Sequence, residues 1–233
     1  MAEFGALLTT PSGEAFVTPQ STPLCLYAVR TFNSSKVNDT LQQAVGTIAM
    51  PDMSQPIIPF VYSSRPSTGS VAFVAERTSS GMRFTGNNVN GNGSFSMTAL
   101  VFTFFEQPMP NPPWGMAIWD EAGKLILTHE SRVLTDLVTI GTRGSGGGTS
   151  IDITRPGRWA IVPDCSGQQQ WQFSTGGPGG AVISLNTAFG AEYNGSSTRM
   201  HATLLSYPGG QAQMVGATNA GNTITAIDVS KYI

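Results

Sequence analysis

The apolar residues of this chain come in short runs, and that segmentation limits the fold more than any other feature of the sequence. Leu24-Cys25-Leu26-Tyr27-Ala28-Val29, Ile57-Ile58-Pro59-Phe60-Val61-Tyr62 and Val71-Ala72-Phe73-Val74-Ala75 are rich in β-branched and aromatic side chains, and Gly, Pro, Asn and Ser bound them. Runs of this length and composition are strands rather than helices. Within one of them Val71, Phe73 and Ala75 alternate onto a single face. The pattern predicts strands over 4–9, 14–18, 24–32, 57–62, 70–76, 82–85 and 95–105, and then over 115–119, 124–128, 132–140, 150–154, 158–163, 169–173, 181–185, 191–193 and 199–206. The only helix-compatible stretch is Asp39 to Ala49, with Asp39 as its N-cap. Charged residues are 11% of the chain, against about 25% in average globular proteins. That excludes a coiled coil, while 40% hydrophobic residues allow a sizeable core. The expected fold class is all-β, as two tandem Ig-like β-sandwiches.

Tandem domains are expected because the chain resembles itself at an offset of 110 residues, read from Gly5/Gly115. Gly13 then matches Gly123, Thr18 matches Thr128, Ser21 matches Ser131 and Leu24 matches Leu134, with Phe4 and Trp114 expected on equivalent core positions. Both segments read as a hairpin whose turn, Ser12-Gly13 or Ala122-Gly123, uses glycine for positive φ. Phe84-Thr85-Gly86 resembles Tyr193-Asn194-Gly195, and Met97 with Ala99 resembles Met200 with Ala202. Gln107-Pro108-Met109-Pro110-Asn111-Pro112-Pro113 lies directly before the second copy and reads as a stiff connector. The expected division is a domain over 1–110 and a second over 111–233, itself ending in an extension, 208–233, with a strand over 223–229. That extension is expected to contact a neighbouring subunit or another protein, by strand addition or by draping over it.

Lys plus Arg number 12 and Asp plus Glu 14, for a net charge of −2 without a basic cluster. Nucleic-acid binding needs a basic footprint, so it is not expected. No apolar run has the length of a membrane span, and Glu3 stands where a signal peptide carries Lys or Arg. Neither membrane insertion nor export is expected. Cys25, Cys165, His129 and His201 are scattered singly. They supply no disulfide framework and no metal-ligand spacing, so neither metal nor cofactor is expected.

Motifs for chemistry are weak. Gly141-Thr142-Arg143-Gly144-Ser145-Gly146-Gly147-Gly148 lacks the Lys of a phosphate-binding loop and precedes a strand. Asn87 to Gly93 lacks the carboxylates of a calcium loop. No G-x-S-x-G elbow occurs. Asp120, Glu121, Glu130, Asp136, Asp152 and Asp164 could furnish a carboxylate pair, but nothing in their spacing selects one. No catalytic residue is assigned, and the chain is read as a non-enzyme. Four tryptophans, Trp114, Trp119, Trp159 and Trp171, lie in the second half. Trp159 reads as core. Trp171, between Gln170 and Gln172, is the candidate for an exposed aromatic with amide donors, fit for a sugar or an interface.

The segment Trp114-Gly115-Met116-Ala117-Ile118-Trp119-Asp120-Glu121-Ala122-Gly123-Lys124-Leu125 resembles the opening hairpin of small β-rich virion proteins from the tail gene modules of tailed bacteriophages. The first copy departs from it, with Thr9-Thr10-Pro11 in place of Trp119-Asp120-Glu121. The resemblance implies a non-enzymatic structural component of a virion, in the tail or tail tip, assembled in the host cytoplasm. Its implied partners are other tail proteins and copies of itself. Two alternatives stand: a carbohydrate- or receptor-binding fibre tip that meets a host-surface glycan, and a capsid decoration protein.

Overall fold

The computed structural model describes residues 8–9, 15–17, 22–89, 91–173, 180–207, 209 and 212–233. The described residues are β throughout, apart from the short 3-10 turns Gly148–Ser150 and Val229–Lys231. The first half contributes β1 (Leu8–Thr9), β2 (Ala15–Val17), β3 (Cys25–Asn33), β4 (Ser35–Asn38), β5 (Leu41–Ile48), β6 (Ile57–Ser64), β7 (Ser70–Thr78), β8 (Gly81–Val89) and β9 (Ser96–Thr103). The second contributes β10 (Ala117–Trp119), β11 (Leu125–Thr128), β12 (Val138–Ile140), β13 (Asp152–Pro156), β14 (Trp159–Ile161), β15 (Cys165–Phe173), β16 (Val182–Tyr193), β17 (Ser197–Leu204), β18 (Ala212–Asn219) and β19 (Ile224–Asp228).

The helix-compatible stretch forms β5. Gln42, Ala44 and Ile48 are buried at even spacing, a period of two that a helix would break. Gly46 completes the fit, since a Cβ there would meet the Phe32 ring at 2.0 Å.

The opening hairpins share one register. Leu8 pairs with Val17 and Thr9 with Ala15; 110 residues on, Ile118 pairs with Leu127 and Trp119 with Leu125. A register shift falls at the same step in both. Gly13 and Phe4 lie outside the described residues. Trp114 is 70% exposed and stacks on His129, so it does not occupy the core position expected of it.

Beyond the hairpins the pairing scheme repeats as well. β9 lies between β3 and β6, and β19 lies between β12 and β14, all antiparallel. The registers correspond: Val29 pairs with Leu100 as Thr139 pairs with Thr225, and Ile58 with Phe102 as Ala160 with Ile227. Likewise β8 lies between β5 and β7 as β17 lies between β13 and β16. The other resemblances read from the sequence have no counterpart here: Met97 is on β9 but Met200 on β17, and Phe84 lies within β8 while Asn194 opens a turn.

The boundary expected at 110/111 does not partition the sheets. β6 pairs with β14 through Val61 and Ile161, and runs parallel to β16 through Ser63 and Glu192. On the far side Cys25 bridges Val133, Leu26 N donates to Arg132 O and Leu134 N donates to Leu24 O. The sheet β3-β9-β6-β14-β19-β12 is thus curled, and the start of β3 is tied to the segment that leads into β12. The core follows the pairing. Phe60, Phe102, Met97 and Leu100 pack in one buried cluster with Ile161, Phe189, Met200, Ile224 and Ile227. Phe102 stands edge-on to Phe60 at 5.7 Å and to Tyr232 at 5.0 Å.

The expectation for the C-terminal extension is overturned in its last part. β19 lies inside the sheet, and Ile224, Ala226, Ile227, Val229 and Tyr232 are buried. Ile224 and Ala226 on one face and Ile227 on the other are buried, while Thr225 and Asp228 are half-buried. Of the two described strands of the extension, β18 is the exposed one.

Candidate functional site

β16 is 12 residues long and does two jobs. Its C-terminal part, Thr187 to Glu192, is buried. Its N-terminal part, Val182 to Asn186, leaves the core as the neighbour of β15, and β18 pairs on the other side of β15. Strand alternation gives this projecting sheet two unlike faces. Gln168, Gln170 and Gln172 share one face with Ser184, Asn186 and Thr218, and Gln168 Nε2 donates to Asn186 Oδ1 at 3.0 Å. The other face carries Trp171, Phe173, Ile183, Leu185 and Met214.

The sequence therefore groups three residues that the sheet separates. Trp171 is half-buried on the apolar face, and its ring nitrogen donates to Gln169 Oε1 at 3.2 Å. Gln170 and Gln172 point the opposite way. The amide beside the indole is Gln169, which two-residue spacing in a strand identifies and adjacency does not.

The base of the projection is built from close approaches. Gly167 has φ of +153, and a Cβ there would meet Thr218 O at 2.2 Å, so β15 and β18 approach as a side chain would forbid. Asn219, ending β18, accepts from Thr149 N at 3.1 Å and Gly221 N at 2.8 Å, and donates to Gly147 O at 3.0 Å. The glycine-rich loop at 141–148 is thus a clamp on β18.

Residues 165–173, 182–187 and 212–219 contain no Asp, Glu, Lys or Arg. Phe173, Ile183, Leu185 and Trp171 are half-buried without joining the central core cluster. Met214 and Val215 are 56% and 50% exposed. Among the described residues β18 pairs with β15 alone, and it holds neither Lys nor Pro. Edge strands of monomers usually carry such guards. Chemically this surface offers backbone hydrogen bonds, amides and apolar area.

The remaining residues singled out by sequence are dispersed. Cys25 is buried, which pushes its thiol up to about 11, and Cys165 is exposed. His201 is buried with its Nε2 3.2 Å from Glu192 Oε1, and Val71 N donates to that same oxygen at 2.8 Å. Among the described residues no three His, Cys, Asp or Glu side chains gather to hold a metal. A cavity of about 610 Å³ beside the second hairpin is lined by Asp52, Phe105, Asp120 and Lys124. Asp120 accepts from Ala122 N and Lys124 N, and Asp52 from Ser54 and Gln55, so both acids are engaged in their own turns. Comparison with protein-family models, with curated proteins and with solved structures finds no match to this chain.

Proposed function

We propose that this chain is a non-enzymatic structural component of a tailed-phage virion, placed in the tail or tail tip and acting by assembly with other virion proteins and copies of itself. One observation carries the reading: a three-stranded projection without a single charged residue, open along β18 and apolar on one face. Interface cores are depleted of charge, and an open strand edge offers a template for strand addition. The repeated pairing scheme supports an internal duplication, so that two copies of one β unit are fused around a shared sheet instead of forming separate sandwiches. The hairpin resemblance supports the virion setting.

The test is complementation. Met214→Lys with Val215→Lys places two charges on exposed positions of the edge. The variant should fold and melt like the parent yet be missing from purified particles by mass spectrometry. Normal incorporation of the variant would remove the projection from the assembly surface. Finding the parent on the capsid shell by labelling would favour the decoration reading, and tight binding of the parent to a host glycan would favour the fibre-tip reading.

A further inference from the structure

A second surface, away from the projection, has the opposite character. It lies where the end of β6, the turn between β13 and β14, and the turn between β16 and β17 converge. Arg158 lies over the Tyr193 ring at 4.7 Å and faces the Tyr62 ring at 5.8 Å. Its Nε is buried and finds no acceptor. Among the described residues its guanidinium makes no hydrogen bond and no ion pair, and it faces two rings. A buried N–H without a partner is costly and needs an explanation.

Two more arginines flank this one. Arg65 N donates to Tyr193 O at 2.9 Å, which sets Arg65 beside the residue that Arg158 covers. Arg65 is exposed and has no side-chain partner among the described residues. Arg155 lies over the Trp159 ring at 5.4 Å, again without an acid. Trp159 is fixed in place: its N donates to Thr198 Oγ1 at 3.0 Å, and its Nε1 donates to Pro156 O at 2.8 Å. Tyr193 is tied to Gly195 O through its hydroxyl.

The nearby acids are all committed elsewhere. Glu192 is adjacent to Tyr193 but alternates to the other face of β16, where it meets His201 and Val71 N. Asp228, opposite Trp159 in the sheet, accepts from Ser230. Asp152 is held by Arg199 through two bonds of 2.8 and 2.7 Å. Arg77 and Arg83, by contrast, are engaged: Arg77 donates to Met53 O and Gln55 O, and Arg83 pairs with Glu76. An otherwise acidic protein has left three guanidinium groups without acids at one corner, each within reach of an aromatic ring or of its strand.

From this we propose that Arg65, Arg155 and Arg158, on the aromatic floor of Tyr62, Trp159 and Tyr193, form a docking site for an acidic peptide segment of a partner protein. A guanidinium held flat by rings presents its fork to a carboxylate in two parallel bonds. Three such groups call for several carboxylates in sequence, which an acidic peptide supplies and a single sugar acid does not. The proposal rests on the assembly reading above, and names the chemistry of one partner.

The experiment uses the full chain and two probes, a fluorescein-labelled hexaglutamate peptide and free N-acetylneuraminic acid, with binding read by anisotropy and by calorimetry. Hexaglutamate should bind saturably and weaken as salt rises. Arg158→Gln should weaken it by about tenfold or more, and Arg158→Lys should fail to restore it, since a point charge lacks the planar fork. Arg65→Ser, at an exposed position, should lower affinity several-fold without moving the melting temperature. Should Arg158→Gln fail to fold, Arg65→Ser and Arg155→Ser carry the test. Absence of saturable hexaglutamate binding overturns the proposal, as does binding indifferent to all of these changes. Binding of the sugar acid in place of the peptide also overturns it. Peptide binding is measured without particles, so its failure leaves the incorporation test of the assembly reading intact.

Discussion

The two halves of the molecule share a pairing scheme and differ at its flanks: β4 extends the first half beyond β5, and the larger difference lies at the other edge. In the first half the order β5-β8-β7 stops at β7. In the second the equivalent order β13-β17-β16 continues into β15 and β18. The reason lies beside β7. Its flank is taken by β16, whose Glu192 receives Val71 N at 2.8 Å, and whose Gly190 comes so close that a Cβ would meet Val71 O at 2.0 Å. The first half spends that edge on holding the second, and the second carries the projection. An internal repeat that joins itself can keep one scheme for stability and leave one copy free to vary.

The most drastic way to break this comparison is to separate the halves. Residues 111–233 expressed alone lose β6, the neighbour of both β14 and β16. They should give no cooperatively unfolding monomer by circular dichroism and denaturant titration. A stable monomeric fragment would mean that the halves stand independently and merely touch.

Equivalent core positions give the next test. Phe102 on β9 and Ile227 on β19 occupy matching registers and are both fully buried. Phe102→Ala should cost about 3–5 kcal/mol and Ile227→Ala about 2–5 kcal/mol in urea unfolding, as large-to-small core changes do. A cost below about 1 kcal/mol at either site would show that the shared sheet is not the stable centre.

The clasp between the halves sharpens the comparison further. Glu192→Ala removes the acceptor of Val71 N and strands a buried His201, for an expected loss of about 3 kcal/mol. Replacing both members by apolar residues, Glu192→Met with His201→Leu, should recover part of it, since neither polar side chain is then left buried opposite a missing partner. If the double variant is as poor as the single, Val71 N carries the interaction by itself.

The smallest effect concerns a pair within the second half. The Arg199 guanidinium hydrogen-bonded to Asp152 holds that carboxyl below the usual carboxylate range, and Asp152 is half-exposed. A lowered folded value means the stabilisation is present at neutral pH and fades as pH falls through it. Asp152→Asn should therefore cost less than about 1 kcal/mol at neutral pH, with the deficit vanishing in acid. A deficit that persists unchanged in acid would assign it to packing.

Strand positions were largely legible, because alternation and turn residues are local. The runs at 24–32, 70–76 and 199–206 match β3, β7 and β17 closely. The hairpin repeat was legible for the same reason, down to a shared register. The partners of β6 were not. Nothing within Ile57–Ser64 names Ile161 or Glu192 as its neighbour, and a proline-rich linker reads as a boundary whether or not the flanking sheets merge. β5 was obscured by Ala, Gln and Gly, which take their structure from the surroundings. At the candidate site the indole was visible but its face was not, since adjacency in a strand means opposition in space. The arginine corner was invisible in the sequence, for it brings Arg65, just past β6, to the β13–β14 segment that carries Arg155 and Arg158.

The junction of β6 with β14 has a consequence for how the protein is made. Val61 waits for Ile161, its partner 100 residues later. At a synthesis rate of about 5–20 residues per second, the ribosome delivers that partner about 5–20 s after Val61 itself. During that interval the first half holds an open hydrophobic strand, and pairing across such a separation is intrinsically slow. The nascent chain is therefore exposed to mispairing with its own sister chains on a polysome, and fast translation or crowded expression should lower the yield of folded protein well before any mature copy becomes unstable.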